Sequence, residues 1–300
     1  MSTQIFVEFT INVLSMGSLY ALISLGLVFV FGICRIVNYA YGEFITASSY
    51  ALYFLGTFTR LPWALVFILG VSAGVAVGYL SELIAFRAFR GRSLDALLVT
   101  SFAVSIVLQR TFQLTISPRA KAVPVPAFFN HNMTVFGVVT PLRNILIIGT
   151  TILLLTVFAL IMKYTTLGIA MRSASENFVT ARLMGVPANL VISVAFVISG
   201  FLAGVVAIFW SARTGSVEPL MGAPPLLVGF IAVVIGGMNS LVGAVIGGFV
   251  YAILSNILSL TLPSGMLSYR DAVMFIIVIA FLVLKPEGLV RGNYQEESIG

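Results

Sequence analysis

Charge is scarce in this chain: only 9% of its 300 residues are Asp, Glu, Lys or Arg. A domain that folds in water carries roughly 25%, because solvated groups must cover its outside. With 60% hydrophobic residues and a mean hydropathy of +1.11, the exterior must instead face hydrocarbon. A single cysteine, Cys34, excludes an internal disulfide. A single histidine, His131, excludes a Cys/His metal cluster and an H-E-x-x-H zinc motif. No G-x-x-x-x-G-K-[ST] loop occurs, so the chain has no nucleotide-phosphate cradle of its own. The 16 cations give a net charge of +6, yet they are scattered singly rather than gathered on one basic face, which argues against a nucleic-acid partner. No basic segment precedes the first apolar run, so that run reads as a retained membrane helix rather than a cleaved signal.

What is abundant is apolar sequence. A helix crossing about 30 Å of hydrocarbon needs roughly 20 mostly apolar residues. Runs near 10–33, 43–59, 62–86, 94–116, 142–163, 190–211, 223–238, 240–261 and 268–285 meet or approach that length. They predict an all-α, polytopic bundle of about 8–9 membrane spans in a single transmembrane domain, 1–300. Two connections are long. Residues 117–141 hold four prolines and predict a non-spanning loop, while 164–189 form the most polar internal stretch. Placing the N-terminus outside and the C-terminus in the cytoplasm puts nine of the 16 cations on the inner side, with Arg87, Arg90 and Arg92 in one short turn. Glycines spaced by four, at Gly70, Gly74 and Gly78, Gly200 and Gly204, and Gly243 and Gly247, predict closely crossing helices.

Three polar segments interrupt this pattern. Asn38-Tyr39-Ala40-Tyr41-Gly42-Glu43 separates two apolar runs, and a carboxylate beside a hydrophobic bundle is costly unless paired or functional. Two readings stay open: Glu43 pairs with Arg35 in a structural turn, or it starts a half-helix facing a transported molecule. Gly236-Gly237-Met238-Asn239-Ser240 is a second break between apolar runs, and Asn256 lies within the following one. Candidate pathway residues are therefore Asn38, Tyr41, Gly42, Glu43, Gly236, Gly237, Asn239 and Asn256. The intramembrane acids, Glu43, Glu82 and Asp95, all fall near predicted helix ends within reach of water. From Ser173 to Val186 the sequence predicts one helix, capped by Ser173 or Ser175 and ended by Pro187. Ala174, Phe178, Ala181 and Gly185 share a face on it, suited either to a groove on another protein or to the membrane interface.

Several of these segments together resemble the permeases of branched-chain amino-acid ABC importers. Gly17-Ser18-Leu19-Tyr20-Ala21-Leu22 with Gly26 and Gly32 is similar to that family's first helix. Residues 38–43 resemble its N-F-A-H-G-E signature, with Tyr41 in place of histidine. Glu176, Ala181 and Gly185 match its cytoplasmic loop, and Pro219 and Gly222 its last outer loop. Gly236-Gly237-Met238, Ser240, Gly243 and Gly247-Gly248 match a glycine-rich stretch from which Asn239 and Val242 depart. Pro286, Gly288, Leu289 and Gly292 fit its tail, with Lys285 for arginine. The resemblance implies a non-catalytic subunit of the bacterial inner membrane that takes branched-chain or related hydrophobic amino acids across by alternating access. Urea, short amides or aromatic acids are alternative substrates, and a stand-alone secondary transporter or channel is the rival class. It implies an outer loop at 117–141, a cytoplasmic coupling loop at 164–189 and a cytoplasmic tail at 285–300. The coupling residues it implies are Ala174, Glu176, Phe178, Ala181, Arg182 and Gly185. The partners it implies are a second permease, two cytoplasmic ATPases holding ATP and Mg, a periplasmic binding protein and membrane lipid. No cofactor is implied in the chain itself.

Overall fold

The computed structural model describes residues 3–35, 37–90, 93–135, 137–176, 178–238 and 240–290. Asn239, Arg92, Gly292 and the side chain of Phe178, all singled out above, lie outside the described residues. Each of the nine predicted runs is a helix. They are α1 (Thr3–Cys34), α2 (Tyr41–Phe58), α3 (Trp63–Ser81), α4 (Leu94–Thr115), α5 (Leu142–Tyr164), α8 (Ala188–Thr214), α9 (Ala223–Gly236), α10 (Leu241–Thr261) and α11 (Arg270–Leu284). Two short helices, α6 (Thr166–Glu176) and α7 (Phe178–Leu183), fill the loop between α5 and α8. Among the described residues, six helices are long and apolar enough to cross a membrane. Helices dominate because hydrocarbon offers backbone N–H and C=O groups no partner outside their own segment.

α1 is the hub. Its most apolar stretch is 83% buried, against 17% for α4. A helix that is apolar all round belongs inside the bundle, and α1 packs on α5, α8, α9 and α10. α3, α4 and α5 lie outside, with Ile68, Val99, Val107, Ile152 and Leu153 exposed where lipid would sit. α3 and α8 cross closely. A Cβ on Gly74 would lie 2.7 Å from the Gly200 carbonyl oxygen, and one on Gly78 2.9 Å from that of Phe196. The glycine spacing therefore has the packing role the sequence predicts. The prolines of 117–141 frame a small hairpin, Asn132–Val135 against Val138–Pro141, and a two-residue bridge from Lys121–Ala122 to Ser216–Val217.

α2 and α9 start inside the bundle rather than at its rim. The Tyr41 ring packs beside Gly26, eight residues before the end of α1, so α2 begins about 12 Å back along α1 from that end. α9 has only 14 residues, about 21 Å of helix. Its first turn meets that of α2, with a Cβ on Gly42 lying 2.6 Å from the Gly222 carbonyl oxygen.

Candidate functional site

The segment 38–43 folds as a turn that leads into the start of α2. The Asn38 side-chain oxygen accepts from the Ala40 N–H at 3.1 Å, and its carbonyl accepts from the Tyr41 N–H at 3.2 Å. The next three residues address three different helices: Tyr41 faces α1 at Gly26, Gly42 faces Gly222 before α9, and Glu43 faces α4. Glu43 is 1% exposed. Its Oε1 accepts from Gln109 Nε2 at 2.7 Å and from Ser105 Oγ at 3.2 Å, while Oε2 has no partner among the described residues. The nearby Thr46 hydroxyl donates to the Gly42 carbonyl of its own helix at 3.2 Å. Asn38 Nδ2 and the Tyr41 hydroxyl are also buried without a partner.

The pairing of Glu43 with Arg35 does not form. Arg35 closes α1 in the left-handed region (φ 56°), and its Nη2 donates to the Ser175 carbonyl at 2.7 Å. Glu43 instead lies in the first turn of α2. Negative charge at such a start is favoured by the helix dipole.

Sequence reasoning missed the face opposite Glu43. Ser101, Ser105 and Gln109 recur every four residues on an otherwise apolar span, and that spacing is the signal that a polar stripe faces inward. Ser101 and Ser105 are buried, and Ser101 Oγ donates to the Leu98 carbonyl at 2.8 Å.

The remaining predicted pathway residues lie elsewhere. Asn256 Nδ2 donates to the Ala252 carbonyl of its own helix at 2.8 Å. Gly236 and Gly237 receive the segment that follows α11: Leu289 and Val290 N–H groups donate to the Ile235 and Gly236 carbonyls at 2.9 and 3.0 Å. These bonds close the C-terminus of α9, whose last carbonyls would otherwise lack donors. Gly237 has φ 109° and Gly288 φ 80°, and a Cβ on Gly288 would lie 2.7 Å from Gly237 Cα. The two glycine motifs, far apart in sequence, form one clasp.

Glu82, like Glu43, corrects the expectation that it reaches water. It is fully buried, because the helix does not end there but runs on as a π-helical turn (Glu82–Phe86) and a 3-10 turn (Arg87–Phe89). Inside, it pairs with Arg90, accepts from Ser193 Oγ at 2.8 Å and lies 3.8 Å from Arg87 Nε. Arg90 Nη1 donates onward to Asn189 Oδ1 at 2.7 Å, so the network grips the first turn of α8. Asp95 is exposed, as expected.

The helix predicted for 173–186 starts earlier than expected, a second correction, and Asn177 between α6 and α7 lies outside the described residues. α6 begins at Thr166, where Thr165 Oγ1 accepts from the Gly168 N–H at 3.1 Å, so neither Ser173 nor Ser175 is the cap. The apolar residues just upstream carry the helix start back toward α5. α7 ends in a left-handed turn: the Val186 N–H donates to the Ala181 carbonyl at 3.0 Å and the Gly185 N–H to that of Arg182 at 3.1 Å, with Gly185 at φ 87°. Pro187 instead caps α8. The small-residue face points inward, since Ala174 is 2% and Ala181 6% exposed. Glu176 and Arg182 face outward, and so do Leu183 and Met184, at 83% and 81% exposed, which the sequence reading passed over. No atom lies within 4 Å of where a Gly185 Cβ would stand, so Gly185→Ala should cost about 1 kcal/mol through backbone conformation alone. Gly185→Asn should cost less, because Asn tolerates that conformation. Thermal unfolding of the two purified variants gives the order.

The comparisons fit this architecture. The family model described as "Branched-chain amino acid transport system / permease component" matches residues 9–282. The high-affinity branched-chain amino acid transport system permease protein LivH of Escherichia coli K12 is 30% identical over 303 aligned positions, covering 95% of each chain. The corresponding permease protein BraD of Pseudomonas aeruginosa is 30% identical over 291 positions, covering 93% of this chain and 94% of its own. A probable branched-chain amino acid transport permease protein LivH of Methanocaldococcus jannaschii is 28% identical over 93% of this chain and 91% of its own. With its polytopic helical bundle, this multi-pass membrane protein belongs to the branched-chain amino acid transport permease family.

Proposed function

We propose that the chain is the membrane-spanning subunit of an ATP-driven importer of branched-chain or related hydrophobic amino acids in a bacterial inner membrane. Its C-terminus and the 166–187 segment lie on the cytoplasmic side and its N-terminus outside. A second permease completes the pathway, a periplasmic binding protein delivers the substrate, and two cytoplasmic ATPases supply ATP hydrolysis with their own Mg. The chain itself does no chemistry on the substrate. It needs two conformations whose balance those partners bias.

The observation that carries this reading is the shape of the 166–187 segment. Met171, Ala174 and Ala181 anchor it from behind, while Leu183 and Met184 project from a turn fixed by Gly185. An exposed apolar pair on a tethered helix end is suited to a hydrophobic groove on a partner. Force applied there has two short routes into the bundle, through Ser175 to Arg35 and through Asn189 to Arg90. Expression with the ATPases and binding protein is expected to give a complex that co-purifies and takes up leucine only with ATP. Leu183→Asp with Met184→Asp is expected to cut ATPase co-purification at least tenfold while the chain still inserts. Full co-purification of the double variant, or leucine uptake without any ATPase, would overturn the importer reading.

A further inference from the structure

We propose that Glu43, Ser105 and Gln109 form the receiving site for the ammonium group of a zwitterionic amino acid passing between α2 and α4. This rests on the reading of the chain as an amino-acid permease, and it names the chemistry of one point on the path.

A carboxylate in an apolar interior is costly unless paired and hydrogen-bonded. Glu43 is 1% exposed, and among the described residues it forms no ion pair. Two neutral donors hold Oε1, and Oε2 has no partner among the described residues. Ionised, Oε2 lacks a donor among the described residues. A ligand that brings N–H groups and a positive charge satisfies it. A primary ammonium carries three donors and no acceptor, which suits a cluster made chiefly of acceptors. Glu43 supplies Oε2, Ser105 its hydroxyl oxygen, and Gln109 its amide oxygen, since its Nε2 already donates to Glu43 Oε1 and, at 3.2 Å, to Ser105 Oγ.

The site is closed in this conformation, and α4 is the element able to open it. Only Thr100, Ser101 and Ser105 of α4 are buried. A cleft of about 860 Å³ separates α4 from α3 and its π-helical turn, bordered on α4 by Val99, Thr100, Ala103, Val104, Val107 and Leu108. Movement of α4 into that cleft would part Gln109 and Ser105 from Glu43 and would also separate Phe102 from Tyr39 and Phe112 from Tyr50. The apolar remainder of a hydrophobic amino acid would then face aliphatic walls, with its ammonium on the polar stripe.

The test is equilibrium binding of radiolabelled L-leucine to the purified full-length chain in lipid nanodiscs, with 4-methylpentanoate, which is leucine without its amino group, as competitor. Leucine is expected to bind saturably, and the competitor at least tenfold more weakly. Glu43→Gln should lower leucine affinity to the level of the competitor, and Glu43→Asp should recover part of the preference. If Glu43→Gln does not remain monodisperse, Gln109→Leu with Ser105→Ala takes its place and should narrow the preference at least threefold. Equal binding of the two ligands, no saturable leucine binding, or a preference unchanged in these variants would overturn the site. The measurement needs neither ATPase nor binding protein. ATP-driven uptake with an unchanged preference in Glu43→Gln would remove the site and leave the importer, whereas leucine preference without ATP-driven uptake would do the reverse.

Discussion

Replacing Arg90 with alanine is expected to destabilise the chain by about 3–5 kcal/mol, the cost of leaving a buried charge without its partner. Glu82 has no exposed surface, and the Arg90 guanidinium is the cation that reaches it closely. Arg87 offers no substitute, because its side chain is 48% exposed and its Nε stands 3.8 Å away. Ser193 and Arg90 both bond the Glu82 carboxylate, so the truncation would strip charge compensation while keeping one neutral donor. Arg90→Lys should recover part of the loss, since a lysine keeps the charge but not the forked contact to Asn189. The double replacement Glu82→Leu with Arg90→Leu should be far milder than Arg90→Ala, because no uncompensated charge remains. Thermal unfolding in detergent, followed by size exclusion, ranks the three. If Arg90→Ala unfolds with the wild type, the network does not hold α3 to α8.

That network also marks the limit of what the chain discloses before folding. Nine apolar runs predicted nine helices because backbone bonding in hydrocarbon leaves few alternatives, and the run from 94 to 116 ends within one residue of α4. Polar residues inside the spans were legible as unusual, but their partners were not. Glu82 lies in a π-helical turn, and one extra residue in a helix turns every later side chain by about 100°, which periodicity alone does not foresee. The partners of Glu43 sit 62 and 66 positions away on another helix, so no local pattern pairs them. Ala174 and Ala181 share a face as expected, yet whether that face points toward the bundle or away depends on how α6 docks. Glycines were the most informative residues. Their fourfold spacing announced the α3–α8 crossing, and the sequence separation of Gly237 and Gly288 hid the clasp between α9 and the tail.

The meeting of α2 and α9 is the contact on which the arrangement around Glu43 depends, and it tolerates no side chain. Gly42→Ala would put a methyl 2.6 Å from the Gly222 carbonyl oxygen and 3.3 Å from Leu226 Cβ. Gly222→Ala would press one onto the Gly42 carbonyl and 2.7 Å from Thr46 Oγ1. The atoms in the way are mostly backbone, which cannot turn aside as a side-chain end can. Each variant is therefore expected to lose about 1–3 kcal/mol or more as the two helix starts are forced apart. The double variant should lose less than the sum, because the second methyl enters a gap the first has already opened. Gly149→Ala supplies the opposite sign: it lies in α5 with nothing within 4 Å of its would-be Cβ, and gains about 0.5–1 kcal/mol from reduced chain freedom. Unfolding midpoints of the four variants decide the matter. Strict additivity of Gly42→Ala and Gly222→Ala, or a midpoint for either at the wild-type value, would show that these helix starts do not bear on one another. Because Glu43 is the next residue on the same turn as Gly42, displacement there must also carry its carboxylate away from Ser105 and Gln109. Loss of leucine binding should thus accompany loss of stability in Gly42→Ala and be absent in Gly149→Ala.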